Sequence, residues 1–77
     1  MREYLKKMRE KFSFTQNDVA EELLISRTGY ANIENGERQK NMTISIIVKL
    51  AKLYGMKPSE VMEMEEEYQK SLNTKAQ

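Results

Sequence analysis

Arg27, Thr28 and Asn32 bring a guanidinium, a hydroxyl and an amide into one short stretch of this chain. Such groups form directed hydrogen bonds to polar surfaces; they suit recognition better than turnover. The rest of the chain offers little for reaction chemistry. Cysteine and histidine are both absent, which removes disulfides, thiolate metal sites, and the commonest general base and metal ligand. The best carboxylate pair is Glu21 and Glu22, and adjacent residues point around a helix rather than at one another. An enzyme is therefore not expected, nor a cofactor, nor a bound metal. The methionines, Met1, Met8, Met42, Met56, Met62 and Met64, read mostly as core filling at helical spacing.

The elements that must position the three polar residues lie between Thr15 and Gly36. Val19, Ala20 and Leu23, then Ile25, Tyr30 and Ile33, are apolar with polar residues between them, the pattern of two short amphipathic helices. Thr15 caps the first, and Asp18 completes an approximate capping box. Ser26 caps the second, and Asn35-Gly36 ends it. Only Leu24 and Ile25 lie between them, so the helices must cross steeply and bury their apolar faces against the rest of the chain. The second helix keeps one outward face, Arg27, Thr28, Ala31 and Asn32.

This stretch resembles the helix-turn-helix of the phage-repressor and Cro family of small DNA-binding domains, also described as lambda-repressor-like or XRE. The resemblance is carried by Gln16, Val19-Ala20, Leu23, Ile25-Ser26, Tyr30, Ile33 and Glu34-Asn35-Gly36, all in register, and continues to about Met62. Two residues depart from it. Leu24 stands where the family usually has a turn glycine, so a left-handed conformation there would cost on the order of 1 kcal/mol. Gly29 lies inside the second helix and weakens it by roughly 1 kcal/mol relative to alanine.

The resemblance implies an all-α fold, a compact five-helix domain over residues 1–64 with the helix-turn-helix at helices 2 and 3. The last helix would be extended over 65–77, fraying from Asn73 to Gln77. It implies a cytoplasmic, sequence-specific regulator of transcription that binds double-stranded DNA as a homodimer, a repressor since no activating segment is evident. The second helix would enter the major groove, where Arg27 can bond guanine O6 and N7, Asn32 an adenine, and Thr28 a thymine methyl. Gln16 and Asn35 would hold phosphates, with Arg38 and Lys40 adding phosphate contacts or reaching toward the minor groove. The same resemblance pairs Arg9 with Glu34, tying the first helix to the end of the recognition helix. A solvated surface arginine is the plainer alternative.

Around this centre the remaining elements follow from spacing. Leu5, Met8 and Phe12 form one face of a first helix over Arg2 to Lys11, flanked by Met1 and Tyr4, with a charged, solvated opposite face. Ser13 occupies the break and Phe14 enters the core. Glu37 to Met42 reads as a loop. Thr43 caps a fourth helix that turns Ile44, Ile47, Leu50, Ala51 and Tyr54 inward and ends at Gly55. Its β-branched residues alone would suggest a strand, but no second strand exists to pair with it. Pro58 opens a fifth helix, with Val61 and Met62 inward. Met64 or Glu65, then Tyr68 and Leu72, continue an imperfect stripe from Val61, either covering the domain's own core or forming a dimer contact. Ile46 is a further dimer candidate.

Charge tempers the DNA-binding expectation. At 77 residues with a net charge of +1, the chain allows one domain and little excess positive charge for phosphates. Glu60, Glu63, Glu65, Glu66 and Glu67 cluster toward the C-terminus, which leaves the remaining surface more positive than the total implies. The balance keeps a second reading open, an antitoxin or antagonist of the same fold whose acidic last helix engages a partner protein. The longest apolar run, Ile46-Ile47-Val48, is far too short to span a bilayer, and no signal-peptide core is present, so no membrane association is expected.

Overall fold

The caps anticipated from the sequence form. In a computed structural model that describes residues 1–36 and 42–76, the chain is built from α1 (Glu3–Lys11), α2 (Gln16–Leu23), α3 (Arg27–Asn35), α4 (Ile44–Tyr54) and α5 (Pro58–Ala76). No strand occurs among the described residues, and no helix is long and apolar enough to cross a membrane. Thr15 Oγ1 accepts from the Asp18 N–H at 3.1 Å while the Asp18 carboxylate accepts from the Thr15 N–H at 2.8 Å, a reciprocal capping box. Ser26 and Thr43 accept from Gly29 and Ile46 in the same way, and Gly36 and Gly55 end α3 and α4 in left-handed conformations.

The apolar faces meet in one core. α2 packs on α3 and on α4, α1 on α3, and α4 on α5. Leu5, Val19, Leu23, Tyr30, Leu50 and Val61 are fully enclosed, so every helix contributes at least one anchor. Phe12 remains partly exposed, but its ring packs edge-on to Tyr54 at 5.1 Å between centroids and stacks on Phe14 at 5.9 Å.

Several inward assignments are overturned. Ile44 is 70 % exposed. At 100° per residue, the buried arc of α4 centres on Ile47, Leu50, Ala51 and Tyr54 and leaves Ile44 roughly 70° off its middle, on the flank shared with exposed Val48. Met62 points outward because its neighbour Val61 takes the inward direction, and consecutive helical residues diverge by about 100°. The last helix is extended as expected, with α5 running from Pro58 to Ala76. The loop expected over Glu37 to Met42 lies outside the described residues except for Met42, which is buried.

The tight turn imposes its own backbone. With two residues between α2 and α3, Leu24 adopts φ 59° and ψ 41°, and its side chain is 81 % exposed. Ser13, at the break after α1, is likewise left-handed with φ 59°. Each conformation costs an L-residue roughly 1–2 kcal/mol. Replacing either by glycine gives back about 0.5–1 kcal/mol of that through the freer unfolded chain. Leu24→Gly and Ser13→Gly are therefore each expected to be neutral to stabilising by up to about 1 kcal/mol in thermal melts. Gly36→Ala is expected to go the other way by about 1–3 kcal/mol, because it adds left-handed strain and a Cβ that collides with the Tyr68 hydroxyl.

Candidate nucleic-acid interface

Helix α3 is held from behind and open in front. Its rear buries Tyr30, Ile33 and Glu34, the last only 1 % exposed. A carboxylate that deep needs a counter-charge and full hydrogen bonding. Arg9 supplies both: Nε donates to Glu34 Oε2 and Nη2 to Oε1, each at 3.0 Å, while Nη1 reaches the Phe14 carbonyl at 3.1 Å. Gln16 Nε2 adds a bond to Oε1 at 3.3 Å. One side chain of α3 is thus gripped by α1 and by the start of α2. The structure pairs Arg9 with Glu34 and leaves the guanidinium half-buried rather than solvated.

Burial by itself would push the Glu34 carboxyl up; the Arg9 hydrogen bonds and charge, with the Gln16 bond, outweigh it and hold the group below its ordinary value. The Tyr30 hydroxyl lies near this carboxylate without a hydrogen bond within 3.5 Å, and burial first, then the neighbouring negative charge, push its ionisation up. Tyr54 is pushed up to about 12, chiefly by burial.

The front of α3 carries the sequence candidates. Arg27 and Thr28 are exposed, and Ala31 and Asn32 are half-buried beside them. Arg27 with Ala31 and Thr28 with Asn32 are spaced four apart, so the four share one face. Arg27, Thr28 and Ala31 line a shallow concavity with Gln16, and a second joins Arg27 to Thr15, Gln16 and Asn17 at the start of α2. Arg27 and Gln16 therefore border one continuous surface. Asn35 is exposed at the last position of α3. Gly29 has a packing reason for its place inside the helix, since a Cβ there would stand 3.1 Å from the capping Ser26 Oγ. Arg38 and Lys40 lie outside the described residues.

A second grip on α3 comes from a buried ion pair. Arg2, at the start of the chain, is 0 % exposed, and Glu65, counted with the acidic cluster and also an alternative to Met64 on the stripe of α5, is buried against it. Arg2 Nε and Nη2 donate to the two Glu65 oxygens at 2.9 Å each, and Nη1 donates to the Ile33 carbonyl at 2.5 Å. Tyr4 and Gln69 complete the shell of Glu65, at 2.6 Å and 2.9 Å. The signal for it in the sequence is the stripe Val61, Glu65, Tyr68, Leu72, which sets a glutamate on the inward line of α5. Of the dimer candidates, Tyr68 is half-buried with its ring 4.9 Å below the Arg2 guanidinium, Ile46 packs partly on the core, and Leu72 is exposed at a groove with Met1 and Met64.

Two short helices at a tight turn, the second gripped from behind and outward in front, define a helix-turn-helix domain of the phage-repressor and Cro type. The chain matches the helix-turn-helix domain family over residues 3–67 and belongs to it. It is similar to a Bacillus subtilis (strain 168) protein named as an uncharacterized HTH-type transcriptional regulator, YqaF, with 44 % identity over 45 residues, or 58 % of this chain. The similarity covers 59 % of that relative's length. No solved structure matches.

Arg9→Ala is expected to cost about 3 kcal/mol, because it leaves Glu34 buried and uncompensated. Its melting temperature should fall accordingly, whereas an exposed pair would change stability by less than about 1 kcal/mol. Glu34 and Glu65 are both held below the ordinary value of 4.5, so their contribution is fully present above that pH and drains away as the pH falls through the lower folded-state values. Acid titration of stability should show this loss below about pH 4.5, and more weakly in Arg9→Ala.

Proposed function

We propose that this chain is a sequence-specific regulator of transcription that binds double-stranded DNA through α3, as a homodimer and a repressor, in the cytoplasm. The observation that carries the reading is the division of α3 into a rear clamped by Arg9, Gln16 and Glu34 and a front presenting Arg27, Thr28 and Asn32. A helix so held can enter the major groove, where Arg27 reads guanine, Asn32 adenine and Thr28 a thymine methyl. Gln16 holds a phosphate through its second amide hydrogen, since the bond to Glu34 uses one donor of two. The first N–H groups of α2 support the same phosphate from the helix terminus. Asn35, Arg38 and Lys40 add contacts that position without specifying. The exposed apolar side chains Leu72, Ile44 and Val48, and half-buried Ile46 on the other flank of α4, support a dimer, which would set half-sites about 34 to 36 Å apart.

The net charge of +1 favours a second reading, a module of the same fold acting on a partner protein as antitoxin or antagonist. Gel shifts with a selected operator and random DNA at two salt concentrations separate the two. Arg27→Ala and Asn32→Ala are each expected to weaken operator binding by about 1 to 3 kcal/mol and to relax preference at one base position, with the fold intact. Arg38→Ala and Lys40→Ala should weaken all sequences alike and flatten the salt dependence by about one unit for each phosphate no longer neutralised. Equal losses for Arg27→Ala on both DNAs would make it only an electrostatic contact. Absence of any shift by the native protein favours the partner-protein reading. A monomer in sedimentation at micromolar concentration, with and without DNA, would contradict the dimer.

A further inference from the structure

Arg2 joins three parts of the molecule, the start of the chain, the end of α3 and α5. Its guanidinium forks onto Glu65 of α5, donates to the Ile33 carbonyl in the last turn of α3, and lies over the Tyr68 ring, while its backbone N–H donates to the Glu34 carbonyl at 2.7 Å. The last carbonyls of a helix have no partner within it and carry the negative end of its dipole, so a fully buried cation at that point is both a hydrogen-bond cap and a favourable charge. The same helix end is also met by Tyr68, whose hydroxyl packs where a Cβ of Gly36 would stand. α5 therefore does more than cover the core, because its segment from Glu65 to Tyr68 reaches the C-terminal end of α3 through Arg2.

We infer that Arg2 is a positioning residue for the recognition helix: by clasping the end of α3 to Glu65 and Tyr68 of α5, it fixes the pose in which the outward face of α3 meets DNA. Arg9 and Arg2 then have separate tasks. Arg9 anchors α3 to α1 through a side chain, and Arg2 anchors it to α5 through backbone carbonyls. The affinity part of this inference rests on the DNA-binding reading; the geometric part does not.

The test avoids Arg2→Ala, which leaves Glu65 buried without a counter-charge and invites unfolding. It uses the double replacement Arg2→Met with Glu65→Leu, since exchanging a whole buried ion pair for apolar residues is often neutral or stabilising. It also uses Arg2→Lys, which keeps the charge but cannot serve the Glu65 fork and the Ile33 carbonyl together. With melting temperatures near native, the double variant is expected to bind a selected operator roughly 2- to 30-fold more weakly. Amide hydrogen exchange, measured without DNA, should show lost protection from Ile33 to Gly36. Arg2→Lys should show smaller losses of both kinds. Native affinity in the folded double variant would overturn the inference, and so would native protection at Ile33 to Gly36. If the native protein selects no operator, the DNA-binding reading fails by itself, and the exchange measurement still decides whether Arg2 holds the end of α3.

Discussion

The burial of Glu34 is the constraint from which the geometry of the interface follows. An ionised carboxylate on the rear of α3 is stable only if fully paired, and its partners come from α1 and from the first residue of α2. Satisfying that one group ties the rear of α3 to α1 and to the start of α2. An apolar residue at the same place could pack, but it would tolerate sliding that bidentate geometry forbids. The energetic role is asymmetric. The intact pair contributes modest net stability, while its rupture is costly, so the pair works mainly to exclude alternative arrangements.

The Arg2 and Glu65 pair repeats this physics at the same end of α3 with a different grip, on backbone carbonyls instead of a side chain. Both ionic clasps cancel their charges internally, so neither alters the small positive net charge that can meet phosphate. Under the proposed DNA-binding reading, discrimination rests on the few polar groups at the front of α3 more than on a strong electrostatic field. Ile44 and Val48 form an exposed apolar flank on α4, and Leu72 is exposed on α5.

Legibility in the sequence followed the range of each interaction. The caps at Thr15, Ser26 and Thr43 join residues three apart, and they form as read. The inward faces of α2 and α3 follow from periodicity, and the family match and all-α fold agree with the motif in register. The partnership of Arg9 with Glu34 spans 25 residues and could be anticipated only through resemblance. Arg2 and Glu65 are 63 residues apart, and both are types that burial statistics send to the surface, so neither periodicity nor composition could pair them. Ile44 and Met62 fail for another reason: an apolar residue marks a candidate for burial, while the width of the covering neighbours decides which candidates are enclosed. Leu24 was legible as a conflict, since the two-residue turn demands a left-handed backbone whatever occupies it.

The central claim is that the outward face of α3 is the surface that meets DNA. Titrating the labelled protein with a selected duplex and following backbone and side-chain resonances tests it most directly. The largest shifts are expected on Arg27, Thr28, Ala31 and Asn32, with Gln16 beside them, while core signals from Leu5 and Leu50 stay in place. Shifts concentrated on α5 or on Ile44 and Val48, with α3 unmoved while the duplex binds, would contradict it.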